Sequence, residues 1–317
     1  MRLLLLSHPE VNPRARSALL RAFAADAWEV VEVRPEQVRV VAVGGAVRVQ
    51  VLGADRQPDA VVGRTVARYL DLLRPAYQVW QDSGVIVLNG EWARRLGRDK
   101  LAMAVVLARA GVPTVDTVGL LPDIGVLSRA EQPGTPEVPE LVPNPGVLKP
   151  ARGHSGQLVT LTADSPAVAR FWRGMRARAS ETAVEPVVAQ PLMVGSGDIR
   201  AYAVAGECIG IMRRHPGAEG EWRANARLGA RCSPLPLDHP GAALAKRAVA
   251  VLGLDAAGVD LIGADDELRV LEVDGWAGFD HLDATTGADV PGRISAFLLA
   301  AVRRERSTSE EGKRRSR

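Results

Sequence analysis

Apolar runs of strand length alternate with amphipathic segments of helical length in the amino-terminal part of the chain. The strand-like runs are 3–6, 30–33 and 85–88, and the helical segments are 18–25 and 70–79. Strands that alternate with helices predict a small parallel α/β unit. Within this unit, the apolar runs 38–43 and 47–52 flank Gly44-Gly45 and predict an inserted β-hairpin.

A second unit is predicted after a change in composition. A helix over 99–110 should end at Gly111, because Pro113 follows it closely. The segment 121–145 is rich in proline and glycine and has little periodicity, which marks the entry into the new unit. The elements predicted beyond it are the strands 147–149 and 158–162 and the helix 167–179.

The remaining chain has the pattern of short strands joined by tight turns, beginning near Val187. Its later elements are a helix at 242–252, strands at 257–262 and 268–274, and a last helix at 290–303. The tail 303–317 crowds Arg, Lys, Ser and Glu together without apolar periodicity, which predicts a solvated and frayed end.

Composition excludes several classes of protein. A chain of 317 residues is too long for one core, and 47% hydrophobic and 24% charged residues are typical of a folded globular protein. The net charge is only +3, the body mixes both signs, and aromatic residues make up 4%. No basic or base-stacking surface is indicated, so we expect no nucleic-acid partner.

Cysteine usage and hydropathy favour a soluble, cytoplasmic protein. Cys208 and Cys232 lack the spacing of a zinc site, and a chain of this size does not need a disulfide to fold. The opening apolar run 3–6 is too short for a signal peptide, and no stretch is long enough to span a bilayer. We therefore expect reduced thiols and no membrane partner.

Carboxylates near the end of the chain are candidates for a metal site. Asp260 lies in one predicted strand, and Glu272 and Asp274 lie on one face of the next. If the two strands pair about the turn 263–266, the three carboxylates converge, and such a group suits Mg²⁺ or Mn²⁺ shared with phosphate oxygens. Spacing alone is equally compatible with a solvated sheet face.

Two lysines could contact phosphate. Lys100 begins a helix, where a surface role is the ordinary interpretation, whereas Lys149 ends an apolar strand. The loop after that strand, Arg152-Gly153-His154-Ser155-Gly156, could cradle phosphate with its backbone N–H groups. It matches neither a Walker P-loop nor a Rossmann fingerprint.

A third group combines acid, amide and arginine side chains, which suit an anionic substrate or a developing acyl phosphate. Its members are Asp198, Arg200, Arg213, Arg223, Asn225 and Arg227. Isolated surface salt bridges are the alternative explanation.

The order of these elements resembles the ATP-grasp superfamily, in its branch of ribosomal-protein glutamate ligases and glutathione-synthetase-like carboxylate–amine ligases. The resemblance covers roughly 89–289. The resembling stretches are Asn89, Gly97-Arg98-Asp99-Lys100, Gly111-Val112-Pro113-Thr114, Val147-Leu148-Lys149-Pro150, Val188-Ala189-Gln190-Pro191, Asp198-Ile199-Arg200, Glu221-Trp222-Arg223-Ala224-Asn225, Ala257-Gly258-Val259-Asp260, Leu271-Glu272-Val273-Asp274 and Thr285-Thr286-Gly287-Ala288-Asp289-Val290.

The resemblance implies an α/β (α+β) ATP-grasp fold. Its parts would be an amino-terminal parallel α/β domain at 1–96, a small mobile lid at 97–186, a carboxy-terminal antiparallel-sheet domain at 187–305 and a disordered basic tail at 306–317. ATP would be grasped between the last two domains. Related ligases are often dimers or tetramers, so the resemblance also implies a homo-oligomer.

The resemblance also assigns roles to individual residues. Nucleotide contacts would come from Lys100, Lys149, Gly153, Ser155, Gly156, Gln190, Pro191, Leu192, Met193 and Asp198. Catalytic contacts with the transferred phosphate would come from Arg200, Arg213 and Asn225, and Mg²⁺ or Mn²⁺ would be held by Asp260, Glu272 and Asp274. The branch normally has Asn where this chain has Asp274, and the Gly275-Trp276-Ala277-Gly278 turn also departs from it. Glutamate is therefore not carried over as the acceptor.

The implied reaction joins a carboxylate to an amine through an acyl phosphate made with Mg²⁺-ATP. The substrates would be an amino acid, a small peptide or a biosynthetic intermediate, with intramolecular ring closure as one form. Two alternatives stay open at this point. One is an ATP-grasp kinase that stops after phosphoryl transfer, and the other is a non-catalytic nucleotide-binding module.

Overall fold

The computed structural model describes residues 1–315 apart from 11, 65–66, 121–144, 154–157, 164, 179–184, 194–196, 218–223 and 225–228. The described strands form one parallel sheet, two antiparallel sheets and a two-stranded hairpin. The predicted mixed α/β fold class is confirmed.

The first sheet is parallel, with strand order β2-β1-β5-β6, and it carries the hairpin β3-β4. Its elements are β1 (Arg2–Ser7), α1 (Pro13–Ala25), β2 (Glu29–Val33), β3 (Val38–Val43), β4 (Ala46–Val51), β5 (Ala60–Arg64), α2 (Ala67–Asp82) and β6 (Ile86–Val87). Helix α1 begins five residues before its apolar pattern, because the Asn12 side chain caps it and Pro13 occupies its first turn.

Strand β5 has no counterpart among the predicted elements. It is short, it contains Gly63, and it is buried along its whole length, so it shows no alternation. Gly63 is required here because a Cβ atom would lie 2.1 Å from the Tyr77 hydroxyl oxygen.

The second sheet is antiparallel, with order β7-β10-β8-β9. The elements of this region are α3 (Glu91–Leu96), α4 (Lys100–Arg109), β7 (Val118–Leu120), β8 (Gly146–Pro150), β9 (Thr160–Leu161), α5 (Ser165–Arg178) and β10 (Val187–Pro191). Helix α5 packs on one face of this sheet and forms a separate core around Leu148, Phe171 and Val187. The sheet continues past the predicted domain boundary at 187, because β10 pairs with β7 and β8.

The third sheet has five antiparallel strands in the order β13-β12-β11-β14-β15. Its elements are β11 (Asp198–Val204), β12 (Glu207–His215), β13 (Arg231–Pro234), α6 (Pro240–Val251), β14 (Ala256–Ile262), β15 (Arg269–Asp274), α7 (Asp280–Thr286) and α8 (Val290–Arg315). One face packs against α4 and α6. The apolar part of the other face, including Tyr202 and Met212, joins the core of the first sheet.

Helix α8 is longer than the last helix predicted from the sequence, which ended at residue 303. It continues from Arg303 to Arg315, and its residues from 303 to 311 are exposed. Arg, Glu and Lys are good helix formers and no proline interrupts the run, so the solvated tail is helical rather than frayed. Within the described part of the chain, no helix has the length and apolar content needed to cross a membrane.

Candidate active site

The third sheet has one face that packs on α6 and another that is turned away from α6, which we call the inner face. A β-bulge determines which arginine of β12 lies on the inner face. The ladder between β11 and β12 skips Ile209, and beyond this point Asp198 is paired with Arg214. An unbroken ladder would have placed Arg213 opposite Asp198. One extra residue moves every following side chain to the other face of the sheet.

A second bulge has the same effect on the acidic strand β15. The ladder between β14 and β15 skips Leu271, so Asp260 is paired with Glu272. Without the bulge, Leu271 would face Asp260 and Glu272 would point into the core with α6. The predicted strand pairing around the turn is confirmed, and the bulge brings the two carboxylates to one face.

Two arginines neutralise Asp260. Arg200 contacts both carboxylate oxygens, at 2.6 Å from Nε to Oδ1 and 3.0 Å from Nη2 to Oδ2. Arg214 donates from Nη2 to Asp260 Oδ1 at 2.8 Å and makes two bonds to Asp198, at 2.5 and 2.6 Å. Burial would raise the pKa of Asp260, but the two guanidinium groups outweigh it and hold the pKa below its usual value. Burial dominates at Asp198, whose pKa is raised.

Lys100 connects the second sheet to the acidic face. Its Nζ lies 3.1 Å from Glu272 Oε1 and donates to the Gly153 carbonyl at 2.9 Å. Its backbone N–H also donates to the Ala151 carbonyl at 3.0 Å. The helix start at Lys100 is fixed by Asp99, whose side chain caps α4. Lys100 is therefore oriented toward the site, and its side chain is only 10% exposed.

Lys149 faces the same site from strand β8. Its neighbour Leu148 packs into the core with α5, so the alternation of the strand turns Lys149 to the opposite face. Lys149 is 7% exposed, and none of the ion pairs among the described residues includes it. Burial lowers its pKa to about 8, opposed by Glu272 and Asp260 and assisted by Lys100.

Strand β10 lies next to β8 in the second sheet. Gln190 shares the face of Lys149, and its Nε2 donates to the Thr117 hydroxyl at 2.9 Å. Pro191, Leu192 and Met193 follow with partly buried side chains. The predicted adenine contacts thus lie at the connection between the second and third sheets.

Asp274 is near the pair of carboxylates without joining them in a metal-binding group. It is opposite Gly258, its Oδ1 accepts the Trp276 N–H at 2.8 Å, and burial followed by the charge of Glu272 raises its pKa. Among the described residues, no three Asp, Glu, His or Cys side chains are close enough to hold a metal ion. Asp274 does lie on the same face of β15 as Glu272, and its role as a third metal ligand stays a prediction.

Arg213 lies on the other face of the third sheet from this pair. Its Nη2 bonds to Asp265 Oδ1 at 2.6 Å, and His239 lies 3.4 Å from the same oxygen. The arginine of β12 that reaches the inner face is Arg214, which the sequence did not single out. Ser155, Gly156 and Asn225 lie outside the described residues, as do His154, Arg223 and Arg227.

The turn after Asp274 is held by two residues of the amino-terminal part. The Asn89 amide donates to the carbonyls of Ala256 and Gly275, at 2.8 and 2.9 Å, and its oxygen accepts two backbone N–H groups at the start of β14. The guanidinium carbon of Arg94 lies 4.2 Å from the Tyr77 ring centre and 4.4 Å from that of Trp276. The contact between Arg94 and Trp276 therefore anchors the turn 275–278, which departs from the pattern of the family.

Solved structures similar to this chain share its fold. The ATP-grasp ligase PsnB complexed with minimal precursor, Mg and ADP has a TM-score of 0.64 at 18% identity, over 95% of this chain and 98% of that one. A RimK domain ATP-grasp protein from Sphaerobacter thermophilus has a TM-score of 0.66 at 21% identity, over 94% of this chain and 100% of that one. These likenesses show that the chain has the ATP-grasp fold.

The sequence comparisons identify the family. Residues 97–298 match the RimK-like ATP-grasp domain, and the chain belongs to this family. A protein named "Probable alpha-L-glutamate ligase" from Alkalilimnicola ehrlichii is 31% identical over 217 residues, which cover 68% of this chain and 67% of that protein.

Proposed function

We propose that the cleft between the second and third sheets binds ATP with Mg²⁺ and uses it to join an amino-acid or peptide carboxylate to an amine. One observation carries the proposal. Buried Lys149 on one wall faces the cross-strand pair Asp260 and Glu272 on the other. A desolvated cation suits a polyphosphate, and two adjacent carboxylates suit a Mg²⁺ ion that is also bound by phosphate.

The two lysines would hold the phosphates of ATP. Lys100 bonds to Glu272 and to the Gly153 carbonyl, so it is already oriented along the cleft. Asp260 and Glu272 would hold the metal, which would neutralise charge on the transferring phosphoryl group. Gln190 and the three residues after it would border the adenine, and Gly153 would lie beside the phosphates.

Arg200 and Arg214 fix the position of the metal-binding carboxylate. Their bonds keep Asp260 ionised and orient both of its oxygens. We propose Arg200 as the arginine that approaches the transferred phosphoryl group, because it lies on the inner face. Asn225 remains a prediction, and a catalytic role for Arg213 would require the β12 ladder to change register.

The reaction takes place in two steps. The donor carboxylate attacks the γ-phosphorus of ATP, which gives ADP and an acyl phosphate. The amine then attacks the acyl carbon, phosphate leaves, the amine loses a proton, and an amide forms. Exclusion of water from the closed cleft would protect the acyl phosphate from hydrolysis. Lys100 and Lys149 would hold and orient the phosphates in both steps.

The decisive experiment follows an oxygen atom. The protein is incubated with Mg²⁺-ATP and a panel of amino acids, dipeptides and amino-acid-derived metabolites whose carboxylates carry ¹⁸O. We expect ADP, a product lighter by one water than its precursors, and one ¹⁸O atom in the released phosphate. A phosphorylated product without amide would identify a kinase, and nucleotide binding without ADP release across the panel would identify a binding module.

We also propose that the protein works in the cytoplasm as a homo-oligomer. Both cysteines are free thiols, which suits a reducing compartment. Sedimentation of the purified chain would test the oligomeric state.

A further inference from the structure

A pocket of about 540 Å³ lies between α1 and α7. Its lining does not include Lys100 or Lys149. Its lining includes Arg14, Ser17, Arg21, Phe279, Asp280 and Asp283. This volume falls within the range of small-molecule sites in proteins. One wall carries cations and the other carries anions.

The cationic wall is the exposed face of α1. Arg14 and Arg21 are separated by two helical turns, which places them on one face about 10 Å apart. Both are exposed, and none of the ion pairs among the described residues includes either one. Arg16, on the opposite side of the helix, is by contrast bound to Glu32. The two guanidinium groups of the pocket are therefore available to an anionic ligand.

The anionic wall is the first turn of α7. Asp280 accepts a hydrogen bond from the Asn12 amide through Oδ2, and Asp283 accepts the Val290 N–H through Oδ1 at 3.1 Å. Each carboxylate retains one oxygen that no described residue bonds. Burial, and then the charges of Asp289 and Asp280, raise the pKa of Asp283, so a cation in the pocket would relieve repulsion there.

The pocket adjoins the proposed active site through Phe279. The Phe279 ring packs edge-on against Tyr202 of β11 at 6.5 Å and lies 5.5 Å from the guanidinium carbon of Arg64. Tyr202 is two residues from Arg200 on the same face of the strand. The side chains of Phe279, Tyr202 and Arg200 thus form a continuous path between the pocket and Asp260.

We propose that this pocket anchors a substrate with both a free carboxylate and a free amine, namely an amino acid or short peptide. The carboxylate would bind to Arg14 and Arg21, and the ammonium group would bind to Asp280 and Asp283. The inference rests on the proposed ligase function and specifies its substrate class. Because the pocket binds this carboxylate and this ammonium group, the group that reacts with ATP or with the acyl phosphate is another carboxylate or amine of the same molecule.

The test is affinity selection from a defined tripeptide library, with bound members identified by mass spectrometry. The full-length protein is compared with the double variant Arg14→Gln/Arg21→Gln and with Arg304→Gln, an exposed arginine on α8. We expect retention of library members by the wild type and by Arg304→Gln, and at least a tenfold loss in the double variant. Both substituted side chains are exposed, so the fold should persist, which circular dichroism checks.

A second library with acetylated amino ends and amidated carboxyl ends tests the charge requirement. We expect at least tenfold weaker retention of this blocked library by the wild type. Equal retention of both libraries, no retention of the free library, or unchanged retention by the double variant would each overturn the proposal. Nucleotide binding is measured on the same samples. If it is intact while the tripeptide results fail, only the substrate pocket is refuted, whereas loss of ADP formation with intact tripeptide binding would refute the ligase proposal.

Discussion

Binding of nucleotide should cause Lys149 to take up a proton. In the free protein, burial lowers its pKa from the ordinary 10.5 to about 8. That difference corresponds to about 3 kcal/mol of bias against the charged form. A polyphosphate beside the ammonium group would return the pKa toward its ordinary value, because an opposite charge favours the charged form. Proton uptake should therefore accompany binding whenever the free protein has a neutral Lys149.

The amount of uptake follows from the pKa. For a pKa that returns to its ordinary value, we expect about 0.1 proton per site at pH 7, about 0.5 at pH 8 and about 0.9 at pH 9. Isothermal titration calorimetry with a non-hydrolysable ATP analogue, in buffers of different ionisation enthalpy at each pH, measures the uptake directly. The variant Lys149→Met should bind the nucleotide more weakly and show no rise in uptake across this range. A pH-independent uptake in the wild type, or an identical rise in the variant, would refute the reasoning.

The same pKa has a consequence for stability. Between about pH 8 and pH 10.5 the unfolded chain keeps the Lys149 proton while the folded protein releases it, so the unfolded state binds more protons. Lys149 should thus make the free protein more stable as the pH rises through this window, by up to about 3 kcal/mol, with no contribution below it. Urea unfolding of the wild type against Lys149→Met isolates this term.

Other predictions concern the inner face and its bulges. Glu272→Gln should abolish ADP formation and leave the circular dichroism spectrum unchanged; a fully active variant would remove Glu272 from the proposed metal site. Arg214→Ala leaves the carboxylates of Asp198 and Asp260 without their shared partner and should lower the free energy of unfolding by about 3–5 kcal/mol. The matched change Arg213→Ala removes a pair with an exposed acid and should cost about 1 kcal/mol or less. Urea denaturation compares the two, and equal losses would argue against the observed register of β12.

The order of strands and helices could be predicted because each has its own signature in the sequence. The buried run of β1, the cap of α4 and the glycine after α4 all act locally, and the mixed α/β fold follows from them. Strand β5 was missed because a fully buried strand of five residues with Gly63 inside it shows neither alternation nor a long apolar run.

The arrangement of the site depends on features that leave little trace in the sequence. The bulges at Ile209 and Leu271 decide that Arg214 and Glu272 reach the inner face, and neither residue is a glycine or proline that would announce an irregularity. If residues are paired one by one from the turn before β12, Arg213 falls opposite Asp198 on the inner face. In the structure, the bulge places Arg213 on the other face of the sheet. Candidate residue types could be predicted, whereas the face each one occupies depends on register.

The separate core between α5 and the second sheet has a consequence for how the molecule opens. The first and third sheets share a hydrophobic core and are joined by the four hydrogen bonds of the Asn89 side chain. The second sheet contributes none of its core residues to that cluster. Amide hydrogens of β8 and β10 should consequently exchange through subglobal opening, while those of β1 and β11 exchange only when the shared core unfolds.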